Sequence, residues 1–140
     1  MNPKPFLVLS PIHRSIRAID RYLSRIFQPK GFSVKEAHLL GYLLYYSPCT
    51  VNNLINVLGV KNSTLTSMIT RLEDKELLKR KINSEDKRSF EIILTAKGKR
   101  VSADFHKYVR ELEEKILKKL SNEDVNSLKK IVVEIEEVCK

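Results

Sequence analysis

Residues 50–98 read TVNNLINVLGVKNSTLTSMITRLEDKELLKRKINSEDKRSFEIILTAKG, and the succession of patterns within them decides the fold. Thr50 is placed to cap a short helix that turns Leu54, Ile55 and Leu58 inward, and Gly59 ends it. A second helix follows almost at once, with Leu65, Met68, Ile69 and Leu72 at the spacing of a single buried stripe. Two helices joined by a very short glycine-containing turn are the sequence form of a helix-turn-helix. The periodicity then changes from helical to alternating. Leu77 to Lys81 and Ser89 to Leu94 read as strands, the second with Phe90, Ile92 and Leu94 set against Ser89, Glu91 and Ile93. The polar run Asn83 to Arg88 between them makes a hairpin with a charged tip.

Outward from this segment the chain is helical. Ser10 is expected to cap a first helix with Pro11 at its first position, where a missing N–H costs nothing. Ile12, Ile16, Ile19, Leu23 and Ile26 form its buried face, Arg14, Arg17, Arg21 and Arg25 lie on the other side, and Pro29 and Gly31 stop it. Ser33 and Glu36 form a capping box for a second helix, apolar nearly all round from Val34 to Leu44 and therefore central; Ser47 and Pro48 end it. Thr95 caps a long fifth helix carrying Val101, Phe105, Tyr108, Leu112, Ile116 and Leu120. Ser121 and Asp124 open a sixth with Val125, Leu128, Val132, Ile135 and Cys139. The expected fold is mainly α with a small β-hairpin (α+β), a winged helix-turn-helix flanked by long dimerisation helices. Residues 1–140 read as one domain, 33–98 as its winged part, and 1–32 with 99–140 as the helical dimerisation part.

Composition limits the classes. With 140 residues, 42% hydrophobic and 31% charged, the chain is of the size and make-up of one globular domain. No stretch approaches the roughly 20 apolar residues of a membrane span, and Cys49 and Cys139 form neither a disulfide framework nor a metal-ligand spacing, so no membrane partner is expected and the cytoplasm is the expected compartment. The formal charge of +9 favours an anionic partner. It is unevenly spread: residues 1–35 hold seven basic groups and one acid, 61–100 hold eleven and six, and 101–140 hold eight and nine. No phosphate loop or nucleophile motif is present, so no enzyme and no cofactor are expected.

The charged hairpin and the fourth helix together suit double-stranded DNA. A helix fits a major groove about 12 Å wide while the hairpin reaches the neighbouring minor groove. Lys61, Asn62, Ser63, Thr64, Thr66, Ser67, Thr70 and Arg71 are the candidates for phosphate and base contacts on the helix. At the tip the candidates are Asp86, Lys87 and Arg88, with Arg88 suited to the enhanced negative potential of a narrow minor groove and Asp86 placed to hold its guanidinium. The plain alternatives are a solvated hydroxyl face and a surface ion pair of little worth.

The run Arg71-Leu72-Glu73-Asp74-Lys75-Glu76-Leu77-Leu78-Lys79-Arg80, with Asp86-Lys87-Arg88-Ser89 and then Leu94-Thr95-Ala96-Lys97-Gly98, resembles the MarR family of transcription regulators, whose wing carries Asp-x-Arg, an apolar strand and Leu-Thr-x-x-Gly. The resemblance covers essentially the whole chain. It implies a homodimer interlocked through the first, fifth and sixth helices, two winged helices on a pseudo-palindromic operator, and a DNA-binding regulator that acts as a repressor. One departure stands out: members of the family usually carry glycine where this chain has Glu76, so either the turn is built differently or strain is accepted there.

The same resemblance implies release by a small phenolic or anionic effector, for which His13, Arg17, His38, Tyr42 and Tyr46 are the candidate liners. Each has a bland reading as a core or surface residue. Redox control would fall on Cys49, in a short loop beside Pro48, or Cys139. Metal control would fall on the scattered His13, His38 and His106, which are not spaced as ligands, so no metal is expected. A winged helix that binds a protein instead of DNA is the alternative of a different class. The stripe Arg14, Arg17, Arg21 and Arg25 fits flanking phosphates, an effector pocket or plain solvation.

Overall fold

The structure, a computed structural model, describes residues 5–83, 85 and 89–140. It contains two compact units, one up to Tyr108 and one formed by Val109–Lys140. In the first, α1 (Leu9–Phe27) leads through a 3-10 turn (Gln28–Lys30) to α2 (Val34–Tyr46). β1 (Cys49–Thr50), α3 (Val51–Leu58), α4 (Asn62–Asp74), β2 (Leu78–Ile82), β3 (Phe90–Leu94) and the start of α5 (Ala96–Leu117) follow. The rest of α5 and α6 (Asn122–Val138) form the second unit.

The core is built around α2. Leu39, Leu40 and Leu43 have no exposed surface, and Leu23 and Phe27 of α1, Leu54 of α3, Leu65 and Leu72 of α4, and Ile92 of β3 are buried with them. Burying each such side chain contributes roughly 1.5–3 kcal/mol, so α2 is the element whose apolar all-round sequence matters most. An aromatic cluster joins α1 to α5: Phe105 lies 4.8 Å from both Phe27 and Phe32, ring centre to ring centre, and Tyr108 meets Phe27 edge-on at 6.4 Å.

Most local expectations hold. Ser33 Oγ accepts from the Glu36 N–H while Glu36 Oε1 accepts from the Ser33 N–H, closing the capping box. Thr50 caps α3, Gly59 ends it in the left-handed region at φ 62°, and Ser121 with Asp124 caps α6. The hydrogen bonds from the Ser121 backbone and side chain hold the exposed Asp124 carboxyl below its usual range. That cap therefore contributes above the unfolded carboxyl's pKa and is lost as pH falls through the lower folded value.

Five expectations need correction. Helix α1 begins at Leu9 rather than after a Ser10 cap: Ser10 Oγ accepts from the Phe6 N–H, Val8 is the boundary residue, and Pro11 becomes the third helical residue, where the N–H is still unneeded. The buried face of α1 is real only at its C-terminal end; Ile16 and Ile19 are 51% and 39% exposed. The hairpin is part of a three-stranded antiparallel sheet of order β1-β3-β2, with Cys49 opposite Ile92. Phe90 does not point into the core with Ile92 and Leu94: it stands opposite Ile82 at the outer end of the hairpin, the two being 46% and 60% exposed. Helix α5 also stops at Leu117, short of Leu120.

The departure at Glu76 is settled by the backbone. Glu76 adopts φ +61°, the conformation glycine would take without penalty. The Leu77 N–H bonds to Leu72 O at 3.0 Å and the Glu76 N–H to Glu73 O at 2.9 Å, the paired bonds of a Schellman turn. Leu72 and Leu77 are both buried beneath it, the apolar contact that accompanies this motif. The turn is thus the one glycine builds, and the strain is accepted. Strand β2 starts one residue later than its pattern suggests because Leu77 is spent on this turn.

Glu76→Gly is expected to raise stability by about 1 kcal/mol, since a left-handed non-glycine residue costs about 1–2 kcal/mol and glycine returns part of that as backbone entropy. Thermal unfolding should show a Tm higher by about 2–4 °C. A Cβ at Gly98 would overlap the Leu77 carbonyl, so Gly98→Ala is expected to lower stability by about 1–3 kcal/mol or more.

Candidate nucleic-acid interface

Helix α4 starts without a side-chain cap at Lys61, so its first N–H groups have no partner within the helix. Its buried stripe is Leu65, Met68, Ile69 and Leu72, as the spacing predicts. Lys61, Asn62, Ser63, Thr66, Ser67, Thr70 and Arg71 are exposed, and Thr64 is half-buried. Two of the hydroxyls are already engaged: Thr66 donates back to the Asn62 carbonyl at 2.9 Å, and Thr70 Oγ1 accepts from Arg80 Nη2 at 3.2 Å. Arg71 is engaged as well, with Nη2 3.2 Å from Oε1 of the buried Glu36.

Strand β2 borders this face. Lys79, Arg80 and Lys81 are exposed along it, on an edge strand where charge also guards against edge-to-edge pairing. Arg80 ties the strand to α4, since its Nε lies 3.5 Å from Glu73 Oε1 besides the bond to Thr70. These basic residues were not among the sequence-derived candidates. Their signal was present in the sequence as the basic run Lys79-Arg80-Lys81 shortly after α4.

The hairpin closes at Asn83 and Ser89: the Asn83 N–H bonds to Ser89 O at 3.1 Å, and Asn83 Nδ2 donates to Ser89 Oγ at 3.1 Å. Asp86, Lys87 and Arg88, the expected tip contacts, lie outside the described residues. The hairpin base is held to the fold by the motif that follows. The Thr95 hydroxyl donates to Glu76 O at 2.6 Å and accepts from the Gly98 N–H at 3.0 Å, while the Thr95 N–H bonds to Leu77 O at 3.0 Å.

Of the five candidate effector residues, one lines a described groove. His38, with Asp20, Ser24, Gln28 and Lys35 among others, borders an open groove of about 400 Å³. His13 and Arg17 are exposed on α1 and are not part of it, nor are Tyr42 and Tyr46, which stack on each other at 4.6 Å. Arg14, Arg21 and Arg25 are likewise exposed. The sequence reading also missed a Tyr45–His106 contact between α2 and α5, Oη to Nε2 3.3 Å. Among the described residues no group of three or more His, Cys, Asp or Glu side chains is placed to hold a metal ion. Cys49 is not in an exposed loop: it is 6% exposed in β1 and its thiol donates to Tyr46 O at 2.9 Å.

Taken together, α2 to α5 and the sheet define a winged helix-turn-helix protein. The sequence pattern of the MarR family matches residues 32–90. Over 139 residues the chain is 30% identical to the HTH-type transcriptional regulator PecS of Dickeya dadantii, covering 97% of this chain and 84% of PecS. Among solved structures, S. aureus MepR in its DNA complex shares the fold with a TM-score of 0.84 at 22% identity, over 96% of this chain and 100% of that one. E. coli MarR in its apo form matches with a TM-score of 0.77 at 25% identity, over 94% of this chain and 98% of that one. The chain belongs to the MarR family.

Burial pushes the Cys49 thiol above its usual range, whereas Cys139 is exposed. Iodoacetamide applied to the native protein near pH 8 is therefore expected to alkylate Cys139 quickly and Cys49 only on the timescale of opening. Equal rates by mass spectrometry would contradict the burial of β1.

Proposed function

We propose that this protein is a transcription regulator that binds double-stranded DNA as a homodimer, with α4 in the major groove and the wing in the adjacent minor groove of each half-site. The observation that carries the reading is the exposed face of α4, uncapped at its start and rich in hydroxyl and amide groups, with the basic strand β2 along its edge. Uncapped N–H groups and hydroxyls bind phosphate oxygens and base edges, and the lysine and arginine side chains supply the electrostatic affinity. The relation to PecS, named as a transcriptional regulator, and the fold shared with the DNA-bound MepR support it. The assignments of Asp86, Lys87 and Arg88 to the DNA rest on the family motif.

The homodimer is supported by apolar surface that one chain leaves uncovered: Ile16 and Ile19 on α1, and Leu128, Val132 and Val133 on α6, at 55%, 42% and 54% exposure for the last three. Two half-sites about 34 Å apart on a pseudo-palindromic operator then bind together. Repression follows where such an operator overlaps a promoter. Release by a phenolic or anionic acid, with His13, Arg17, His38, Tyr42 and Tyr46 as liners, completes the proposal. Aromatic acids added to the DNA complex should dissociate it, and failure of every such acid would count against this part.

Fluorescence anisotropy with a duplex selected from a random pool is expected to show affinity falling steeply with salt, by about 0.9 in log–log slope for each phosphate contacted. Arg88→Ala should weaken binding about tenfold or more and leave the dimer intact by analytical ultracentrifugation, since a well-placed base-edge or groove contact contributes about 1–3 kcal/mol. A chain that binds no duplex in a salt-dependent way would favour the protein-binding alternative instead.

A further inference from the structure

Glu36 carries a charge that its place in the helix does not require. It is the third residue of α2 and only 2% exposed. In the capping box it supplies one acceptor to the Ser33 N–H, which glutamine would supply as well. Burying an ionised carboxylate is costly unless its oxygens are partnered, and Glu36 Oε2 has no hydrogen-bond partner among the described residues. The group that accounts for the charge is Arg71, whose Nη2 lies 3.2 Å from Oε1.

The pair is asymmetric. The Glu36 side chain is 3% exposed and that of Arg71 61%, so a guanidinium on the flank of α4 is pinned by one nitrogen to a buried anion while the rest faces water. Guanidinium has five N–H donors in a fixed fork, and this contact uses one edge of it. A long arginine side chain loses rotamer freedom when it grips a ligand, and pinning it beforehand removes that cost. Arg71 is one helical turn from the exposed Ser67 and beside Thr70, so the edge left to solvent borders the face described above. At the flank, rather than the centre, of that face, the anion within reach is backbone phosphate.

We propose that Glu36 is a positioning residue for DNA binding: it holds the Arg71 guanidinium ready to clamp a backbone phosphate at the edge of the recognition helix, so that Arg71 bridges the buried carboxylate and the phosphate. The unpartnered Oε2 gives the guanidinium a second acceptor, allowing the single contact to become bidentate as the phosphate draws in. The inference rests on the DNA-binding reading and adds a residue that does not itself reach the DNA. It also carries a sign that distinguishes it from simple electrostatics. A carboxylate near DNA repels it, so removing the charge of Glu36 should tighten binding if charge alone mattered; if Glu36 orients Arg71, the same change weakens binding.

The test uses the full-length protein and a fluorescent duplex selected with the wild type, titrated over a range of salt. Glu36→Gln keeps an acceptor for the Ser33 N–H and is expected to weaken binding about three- to tenfold, with the log–log salt slope smaller by about 0.9 for each protomer bound. Arg71→Ala should show a loss of the same kind, and the double variant should be no worse than Arg71→Ala alone. Arg71→Lys, which keeps the charge without the fork, should be weakened and insensitive to Glu36→Gln. Ser33→Ala breaks the box without touching Arg71 and should lower Tm while leaving affinity and slope at wild-type values. Unchanged or tighter binding by Glu36→Gln, or an effect of Glu36→Gln that persists without Arg71, overturns the proposal. Should Glu36→Gln not fold, wild-type affinity and slope in Arg71→Ala overturn it equally. Wild-type protein that binds no duplex brings down the DNA reading and this inference together; wild-type binding that neither variant weakens brings down the inference only.

Discussion

Helix α4 and the wing are held in register by one main-chain turn, residues 75–77. The Leu77 N–H closes the end of α4 onto Leu72, and its carbonyl receives the Thr95 N–H from the start of α5. Gly98 packs against that same carbonyl, so closely that no side chain fits at 98. The Thr95 hydroxyl takes up the carbonyl of Glu76 in turn, and Lys97 Nζ reaches the carbonyl of Lys75 at 3.1 Å. The carbonyls of Lys75, Glu76 and Leu77, just past the end of α4, are thereby satisfied by a segment some twenty residues on. The Leu-Thr-x-x-Gly motif is in this light a clamp on α4 as much as the end of a wing.

Around that turn the molecule divides its polar groups by task. Those beneath α4 are committed to holding it: Lys75 donates to Gly31 O at 2.7 Å and lies 4.2 Å over the Phe32 ring, Glu36 takes Arg71, and Arg80 takes Glu73 and Thr70. The exposed Arg80–Glu73 pair among these is worth little in stability. Together these contacts fix where α4 and its long side chains point. Ser63 and Ser67, by contrast, stay on the exposed face of a rigid helix.

Much of this was legible in the sequence, and the parts that were not share a cause. The caps at Ser33, Thr50, Thr95 and Ser121, the stop at Gly59 and the stripe of α4 are local: each depends on residues within one helical turn. Strand β1 is two residues long, and a strand so short carries no periodicity; only its pairing with β3 creates it and buries Cys49. The start of α1 departs from its sequence pattern because the Ser10 hydroxyl accepts from the Phe6 N–H behind it and does not cap the helix. Glu36 read as a capping residue and Arg71 as a DNA contact, with nothing in a separation of 35 positions to suggest that they meet.

By itself, then, the sequence determined the helices and the hairpin, their order and the family motif, because hydrophobic period and capping chemistry act over a few residues. It also determined that Glu76 would stand where glycine is preferred, though not what the chain would do about it. Only the tertiary structure decided that the strained turn is kept, since the cost of a left-handed glutamate is outweighed by the Leu77 N–H bond to Leu72 O and by the Thr95 bonds to the Glu76 and Leu77 carbonyls, which come from the far side of the wing. It alone decided which apolar faces are covered within one chain, leaving Ile16, Ile19 and the α6 residues at the surface. Burial and ion pairing are sums over neighbours distant in sequence, and no reading of adjacent residues contains them.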